Sequence, residues 1–150
     1  MVSHDHMSWL LCTIEQAFVV GKDFGTIPPY DFALRHPDRT RGVISLGIPF
    51  SPVPFSFEST MPKGFYILLW REPGRAEADF GRHDVRRVVR TIYILFSRSE
   101  IPVADEGQEI MDLADLSTPL PPWFTEEDLD AYAALYEKSG FRYPLQIPYR

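Results

Sequence analysis

The sequence has little that would point to a secreted, membrane-embedded or nucleic-acid-binding protein. Its one cysteine, Cys12, cannot form an internal disulfide, which is consistent with a reducing compartment. No apolar run approaches the roughly 20 residues of a membrane span, and the polar start is not expected to be a signal peptide. The net charge of −6 argues against nucleic acid or anionic membranes as partners. We expect a cytoplasmic location, with the peroxisome as the alternative.

The composition is that of an ordinary globular domain. The chain has 150 residues, of which 45% are apolar and 24% charged. Its 14 prolines cluster in the middle and at the end, where we expect loops and short helices. Histidines at positions 4 and 6 lack further ligands nearby, so they indicate a polar terminus rather than a metal site.

A five-residue turn, Gly-Lys-Asp-Phe-Gly at 21–25, is the most informative stretch. It follows the apolar run 17–20 and precedes apolar residues at helical spacing from residue 30. A strand, a tight turn with an acid between two small residues, and a helix make the nucleophile elbow of an α/β-hydrolase, here with Asp23 at the apex. We expect both Gly21 and Gly25 to be required because a Cβ atom would not fit there.

Three other interpretations of this turn are open. Asp-Phe-Gly is also the magnesium-binding tripeptide of protein kinases, but the other kinase motifs are missing. A phosphate-binding loop would need a longer glycine-rich run ending in Gly-Lys-Ser/Thr. The simplest alternative is an ordinary strand-to-helix turn in which Asp23 is a helix N-cap.

The rest of the chain predicts a strand–helix–strand unit followed by helices. A helix is expected over 24–36 and a second buried strand over 42–48, which together with strand 17–22 make a right-handed βαβ unit. We also expect a short helix from Ser8 to Gln16. Beyond the linker 51–54 the patterns are helical. The expected helices are 76–80, one capped by Asp84 and running through Leu95, and one opened by a capping box at Thr125 and ended by Gly140.

These blocks, taken in order, resemble the soluble epoxide hydrolases, especially the plant members. The resemblance rests on FVVGKDFG at 18–25, DFALRHP at 31–37, GVISLGIPF at 42–50, GFYI at 64–67 and EPGRAEADF at 72–80, and it continues to Tyr149 and Arg150. It implies a partial α/β-hydrolase fold: a core with the nucleophile elbow over 1–50 and a helical lid over 51–150.

The resemblance also implies a chemistry without cofactor or metal. Asp23 would attack a small-molecule epoxide and form an alkyl ester, which water would then convert to a vicinal diol. Tyr66 and Tyr149 match the lid tyrosines that donate to the opening oxygen. The backbone N–H of Phe24 would help to hold the oxyanion. Without the resemblance, a tyrosine in a helical block is usually core, and Phe65, Trp70 and Trp123 are interpreted as packing or pocket wall.

The sequence departs from this family in two ways. The strands and the His-Gly loop that precede the elbow are missing, and no histidine follows the lid to act as general base: His36 precedes it and His83 lies within it. We therefore expect one epoxide opening without turnover. Two strands that belong in the middle of a sheet would also expose edges and apolar faces, which would promote self-association.

Two rival functions stay open at this point. Haloalkane dehalogenases share the aspartate elbow, although they usually carry a tryptophan next to the nucleophile, where this chain has Phe24. The second rival is a non-catalytic truncated product that does nothing or binds full-length relatives.

Overall fold

A computed structural model of the chain describes residues 15–52, 56–100, 102–115, 117–146 and 149. These residues fall into two compact units, one within Met1–Phe55 and the other within Ser56–Arg150. We call their described parts the strand unit (15–52) and the helical unit (56–149), and each is described by itself. The predicted polar terminus with its two histidines and most of the helix expected from Ser8 to Gln16 lie outside the described residues.

The strand unit contains the predicted strand–helix–strand order. Strand β1 (Ala17–Lys22) leads into a 3-10 helix (Asp23–Thr26), helix α1 (Ile27–Arg35), a second 3-10 helix (Pro37–Arg39) and strand β2 (Thr40–Leu46). The two strands are parallel, with Phe18 beside Gly42 and Lys22 beside Leu46. The bounds predicted for β1 are confirmed. Strand β2 begins and ends two residues earlier than predicted, since Gly47 has a φ of 120° and leaves the extended conformation.

Two prolines near the start of α1 remove fewer backbone hydrogen bonds from the helix than its predicted start at residue 24 implies. In a helix that began at Phe24, the second of them would remove a backbone hydrogen bond. The α-helix begins only at Ile27, after the 3-10 turn, so Pro28 and Pro29 both stand in its first turn. The first N–H groups of a helix have no partner within it, so neither proline removes a hydrogen bond.

One face of the small sheet is apolar and exposed. Val20 pairs in register with Ile44, and parallel neighbours in register point to the same face. Phe18 and Val20 are 63% and 58% exposed, and Ile44 and Leu46 are 46% and 55% exposed. The strand unit by itself therefore leaves this face uncovered.

The helical unit is built from six short to medium helices and one 3-10 helix. They are α2 (Phe57–Thr60), α3 (Tyr66–Arg71), α4 (Arg75–Gly81), α5 (Val85–Phe96), a 3-10 helix (Ile110–Leu113), α6 (Glu126–Ser139) and α7 (Arg142–Gln146). Among the described residues of this unit, β pairing is limited to one antiparallel bridge between Phe65 and Val103. In the part of the chain that the structure describes, we find no helix with the length and apolar character needed to cross a membrane.

The helix ends predicted from the sequence are confirmed. The Asp84 carboxylate accepts from the Arg87 N–H at 2.9 Å and caps α5. Thr125 and Asp128 form the reciprocal capping box that opens α6. Gly140, with a φ of 65°, ends α6 in a conformation that favours glycine. These three signals are local, which explains why they could be read from sequence.

The core of the helical unit lies between α3, α4, α5 and the 3-10 helix. The larger cluster of buried side chains consists of Leu69, Trp70, Ala76, Phe80, Val88, Leu95, Ala104, Ile110, Met111 and Leu145. A second cluster joins α5 to α6 and consists of Val89, Phe124 and Leu129. The buried Asp79 carboxylate accepts from the Met111 N–H at 3.0 Å, which ties α4 to the 3-10 helix.

Candidate functional site: the Asp23 turn and the tyrosine pair

Asp23 stands on a turn with the backbone conformation of an exposed apex. Its φ of 51° makes it the one non-glycine residue with a positive φ among the described residues. Such a conformation is uncommon outside glycine and costs on the order of 1–3 kcal/mol, so the surrounding contacts must hold it. The fully buried Thr26 does so in part, because its hydroxyl donates to the Asp23 carbonyl at 2.8 Å. The Asp23 side chain is exposed.

The two glycines of the turn have different roles, which corrects the sequence-based expectation. A Cβ on Gly21 would lie 2.4 Å from the Gly25 carbonyl oxygen and 2.6 Å from the Thr26 Cα, so no side chain fits at position 21. A Cβ on Gly25 would meet nothing within 4 Å. The turn folds back onto β1, and the close approach is therefore to Gly21 alone.

The segment after β2 lies against the Asp23 turn. A Cβ on Gly47 would be 3.6 Å from the Asp23 backbone nitrogen, which shows how closely the two segments pass. The Ser45 and Tyr30 hydroxyls both donate to the Ile48 carbonyl, at 2.5 and 3.1 Å. These bonds fix the segment beside the turn. Phe24, the predicted oxyanion donor, follows Asp23 in the same 3-10 helix and is partly buried.

The helical unit brings the two predicted tyrosines together. Tyr66 is the first residue of α3 and Tyr149 follows α7, yet their ring centroids lie 6.2 Å apart with the planes at 81°. Both side chains are partly buried. Trp70 contacts both rings edge-on, at centroid distances of 5.1 Å from Tyr66 and 5.3 Å from Tyr149. The unit thus holds three aromatic rings in mutual contact, two of which carry hydroxyl groups.

Each tyrosine of the pair borders a cavity. Tyr66 lies on the wall of one of about 210 Å³, whose lining residues are Phe65, Tyr66, Phe96, Arg98, Ser99, Glu100 and Pro102. Tyr149 lies on the wall of a second, of about 200 Å³, whose lining residues are Trp70, Phe80, Val89, Ile92, Tyr93, Tyr136, Phe141, Pro144, Leu145 and Tyr149. The second cavity is mostly aromatic and apolar, whereas Arg98, Ser99 and Glu100 contribute polar groups to the first.

Tyr93, on the wall of the second cavity, has a raised pKa. Burial, with a smaller contribution from a hydrogen bond with Tyr132, raises the pKa of Tyr93 to about 12. Its ring stacks on Phe124 with a centroid distance of 3.8 Å. Tyr93 was not among the residues that the sequence predicted, since a tyrosine in a helical pattern gives no signal of its surroundings.

Histidines and metal-binding groups are sparse in this structure. His36 caps the C-terminus of α1, and its ring contacts Phe32. His83 lies in the helical unit, partly buried, and its Nε2 atom has no hydrogen-bond partner among the described residues. Over the same residues no cluster of three or more His, Cys, Asp or Glu side chains is arranged to hold a metal ion. The reaction without cofactor or metal stays a prediction.

The remaining aromatic predictions are confirmed for two residues and wrong for the third. Phe65 and Trp70 are 3% and 4% exposed and belong to the packed interior of the helical unit. Trp123 is 64% exposed, although its ring contacts Tyr93 and Phe124. Trp123 therefore lies at the surface, outside the second core cluster to which its neighbour Phe124 belongs.

Three proteins of similar sequence are each named as an epoxide hydrolase. The chain is 33% identical over 135 residues to epoxide hydrolase 2 of Siraitia grosvenorii, and the matched region covers 85% of this chain and 42% of that protein. It is 32% identical over 143 residues to epoxide hydrolase A of Mycobacterium tuberculosis, covering 85% and 43%. It is 30% identical over 141 residues to bifunctional epoxide hydrolase 2 of Mus musculus, covering 88% and 25%. No family model matches the chain.

Solved structures agree with these relatives. An epoxide hydrolase mutant from Vigna radiata matches with a TM-score of 0.73 at 26% identity, covering 96% of this chain and 48% of that one. An epoxide hydrolase from an endophytic Streptomyces matches with a TM-score of 0.70 at 28% identity, covering 94% and 46%. The chain therefore has a partial α/β-hydrolase fold. Within that class it is related to the epoxide hydrolases, and it spans less than half the length of these relatives.

Proposed function

We propose that this chain carries the nucleophile and the ring-opening acids of an epoxide hydrolase reaction. The observation that carries the proposal is the contact between Tyr66 and Tyr149, which come from distant parts of the sequence and present two phenols within one unit. The positive φ of Asp23 supports its assignment as the nucleophile, since a strained apex is the conformation that a nucleophile elbow requires. The names of the relatives support an epoxide as the substrate class.

The chemical step would run as follows. A carboxylate oxygen of Asp23 attacks one carbon of the epoxide, and the bond between that carbon and the ring oxygen breaks. The new bond is an ester, and the electron pair of the broken bond stays on the oxygen. Tyr66 or Tyr149 donates its phenol proton to that oxygen. The product of this step is a hydroxyalkyl ester on Asp23.

The second step would need water to attack the ester carbonyl. The N–H of Phe24 would then hold the developing oxyanion. A general base must activate the water, and the sequence has no histidine after Tyr149 to do so. We therefore expect the ester to persist in the purified chain and the diol not to accumulate.

The proposal is tested by mass spectrometry of the intact chain after incubation with an aryl epoxide. We expect one equivalent of adduct, located on Asp23 by peptide mapping. Asp23→Asn should abolish it. Asp31→Asn is the matched control, because Asp31 is another exposed carboxylate of the strand unit, paired with Arg35 on α1. Tyr66→Phe and Tyr149→Phe should each slow the adduct by about 10²–10⁴-fold. Tyr143→Phe, at a 66% exposed tyrosine, should not.

Several outcomes would contradict this proposal. An adduct spread over other carboxylates, or none at all, would remove Asp23 as the nucleophile. Continuous formation of diol would overturn the expected failure of turnover. Release of halide from a haloalkane would favour the dehalogenase chemistry. Recovery of the chain with a full-length hydrolase, without any adduct, would favour a non-catalytic binding role.

A further inference from the structure

We propose that Trp70 is a positioning residue that fixes the two phenols of Tyr66 and Tyr149 relative to each other. The inference rests on the proposed function for its catalytic meaning, but the arrangement of the three rings stands on the structure alone. Trp70 lies one helical turn after Tyr66 on α3, so the two side chains share a face of that helix. Tyr149 reaches the same tryptophan from the segment after α7.

The three rings form a closed triangle of edge-on contacts. The planes of Trp70 and Tyr66 meet at 76°, those of Trp70 and Tyr149 at 78°, and those of the two tyrosines at 81°. Aromatic rings favour this geometry because the positive edge of one faces the negative face of another. The Tyr66 ring also contacts Phe65 and Phe96, at 4.7 and 4.8 Å, but among the described ring contacts only Trp70 meets both tyrosines and so links their positions.

Trp70 can act as a fixed reference because it is anchored on its other side. It is 4% exposed and is part of the larger core cluster, whereas Tyr66 and Tyr149 pack against that cluster from its margin. The Phe80 ring on α4 meets Trp70 at 5.5 Å and 86°. The tryptophan therefore connects the rigid core to the two hydroxyl-bearing rings.

The catalytic consequence of this arrangement follows from the role that the two phenols share. Both hydroxyls are to serve one oxygen of the substrate, so their separation must be set before the epoxide binds. A misplacement of about 1 Å can cost about 100-fold in rate. The proposed reaction assigns no step to Trp70, so its influence on the rate would pass through the two tyrosines.

The test uses the full chain labelled with 3-fluorotyrosine, whose fluorine signals report each ring. Tyr66→Phe and Tyr149→Phe assign two of the seven tyrosine signals, and Tyr143→Phe identifies the reference signal of Tyr143. In Trp70→Leu we expect those two signals to shift and broaden, while the signal of Tyr143 stays in place. Trp123→Leu is the matched control, because it removes an exposed tryptophan of the same unit. It should leave both assigned signals unchanged.

Adduct formation with the aryl epoxide gives the second readout. In Trp70→Leu the maximal rate should fall by about 10- to 100-fold, while the epoxide concentration for half-maximal rate stays within about twofold. Trp70→Phe keeps an aromatic edge and should recover most of the rate. If Trp70→Leu does not fold, Trp70→Phe tests the positioning role in its place. Trp70→Phe should still shift the fluorine signals of Tyr66 and Tyr149.

The outcomes separate the two proposals. Unchanged tyrosine signals and an unchanged rate per folded molecule in the Trp70 variants would overturn the positioning role, even if the melting temperature falls. Absence of any adduct in the unsubstituted chain, with the signals of Tyr66 and Tyr149 displaced in Trp70→Leu, would leave the ring arrangement standing and overturn the proposed reaction.

Discussion

The strand unit and the helical unit differ in how much apolar surface each buries by itself. Apart from Pro29, every buried apolar side chain among the described residues belongs to the helical unit, from Phe65 to Leu145. In the strand unit the buried residues are Gly21, Thr26 and Pro29. Since burial of apolar surface is the main favourable term in folding, the helical unit carries its own stabilisation and the strand unit carries little.

The proposed nucleophile and the proposed ring-opening acids therefore differ in how firmly the surrounding structure holds them. Tyr66 and Tyr149 are held against a packed core. Asp23 is held in a strained conformation by a unit whose sheet leaves one apolar face exposed. We infer that the tyrosine pair survives perturbation better than the turn does.

Separation of the two units should give the largest effect. Residues 56–150 expressed alone should show a cooperative thermal transition by circular dichroism, because their core lies within that range. Residues 1–55 alone should show none, and sedimentation should detect association through the exposed sheet face. A monomeric 1–55 fragment that melts cooperatively would remove the distinction between the units.

Truncation of one side chain in each unit should give the next largest difference. Ile110→Ala removes a side chain with no exposed surface and should lower the free energy of unfolding by about 2–5 kcal/mol. Val20→Ala, in the exposed sheet face, should change it by less than about 0.5 kcal/mol. Chemical denaturation of the full chain measures both. Equal losses would show that the sheet face is covered in solution.

The two glycines of the Asp23 turn should respond differently to the same substitution. Gly21→Ala places a Cβ against backbone atoms and should lower the protection of β1 amides by about 1–3 kcal/mol in hydrogen exchange. Gly25→Ala meets open space and should change that protection by less than about 0.5 kcal/mol. If both substitutions disrupted β1 equally, the close approach would not be confined to position 21.

The smallest expected effect is at alkaline pH and concerns the helical unit. The pKa of Tyr93 is raised from 10.0 to about 12, so folding favours its protonated form. This contribution to stability is complete below pH 10 and is lost as the pH rises towards 12. Tyr93→Phe should flatten the fall in unfolding free energy over that interval. An identical pH profile in the variant would contradict the shift.

The features predicted correctly are those that a few neighbouring residues control. The capping carboxylate of Asp84, the reciprocal bonds of Thr125 and Asp128 and the left-handed Gly140 all act within one turn of chain. The apolar run of β1 likewise marks a strand by itself. Helix α3 was not predicted, because a run of consecutive apolar residues after Tyr66 has no helical periodicity.

By itself, the sequence determined the strand–helix–strand order of the strand unit and the position of Asp23 at a turn, because each depends on residues close together in the chain. It also determined the resemblance to epoxide hydrolases, which depends on the order of blocks along the chain. Only the tertiary structure decided that Tyr66 and Tyr149 share the Trp70 ring, that Gly21 rather than Gly25 must lack a side chain, and that one unit holds nearly all of the core. The contact of Tyr149 with Trp70 and the core contacts join segments far apart along the chain. The close approach to Gly21 depends on how the turn folds back onto β1, and packing in three dimensions selects both.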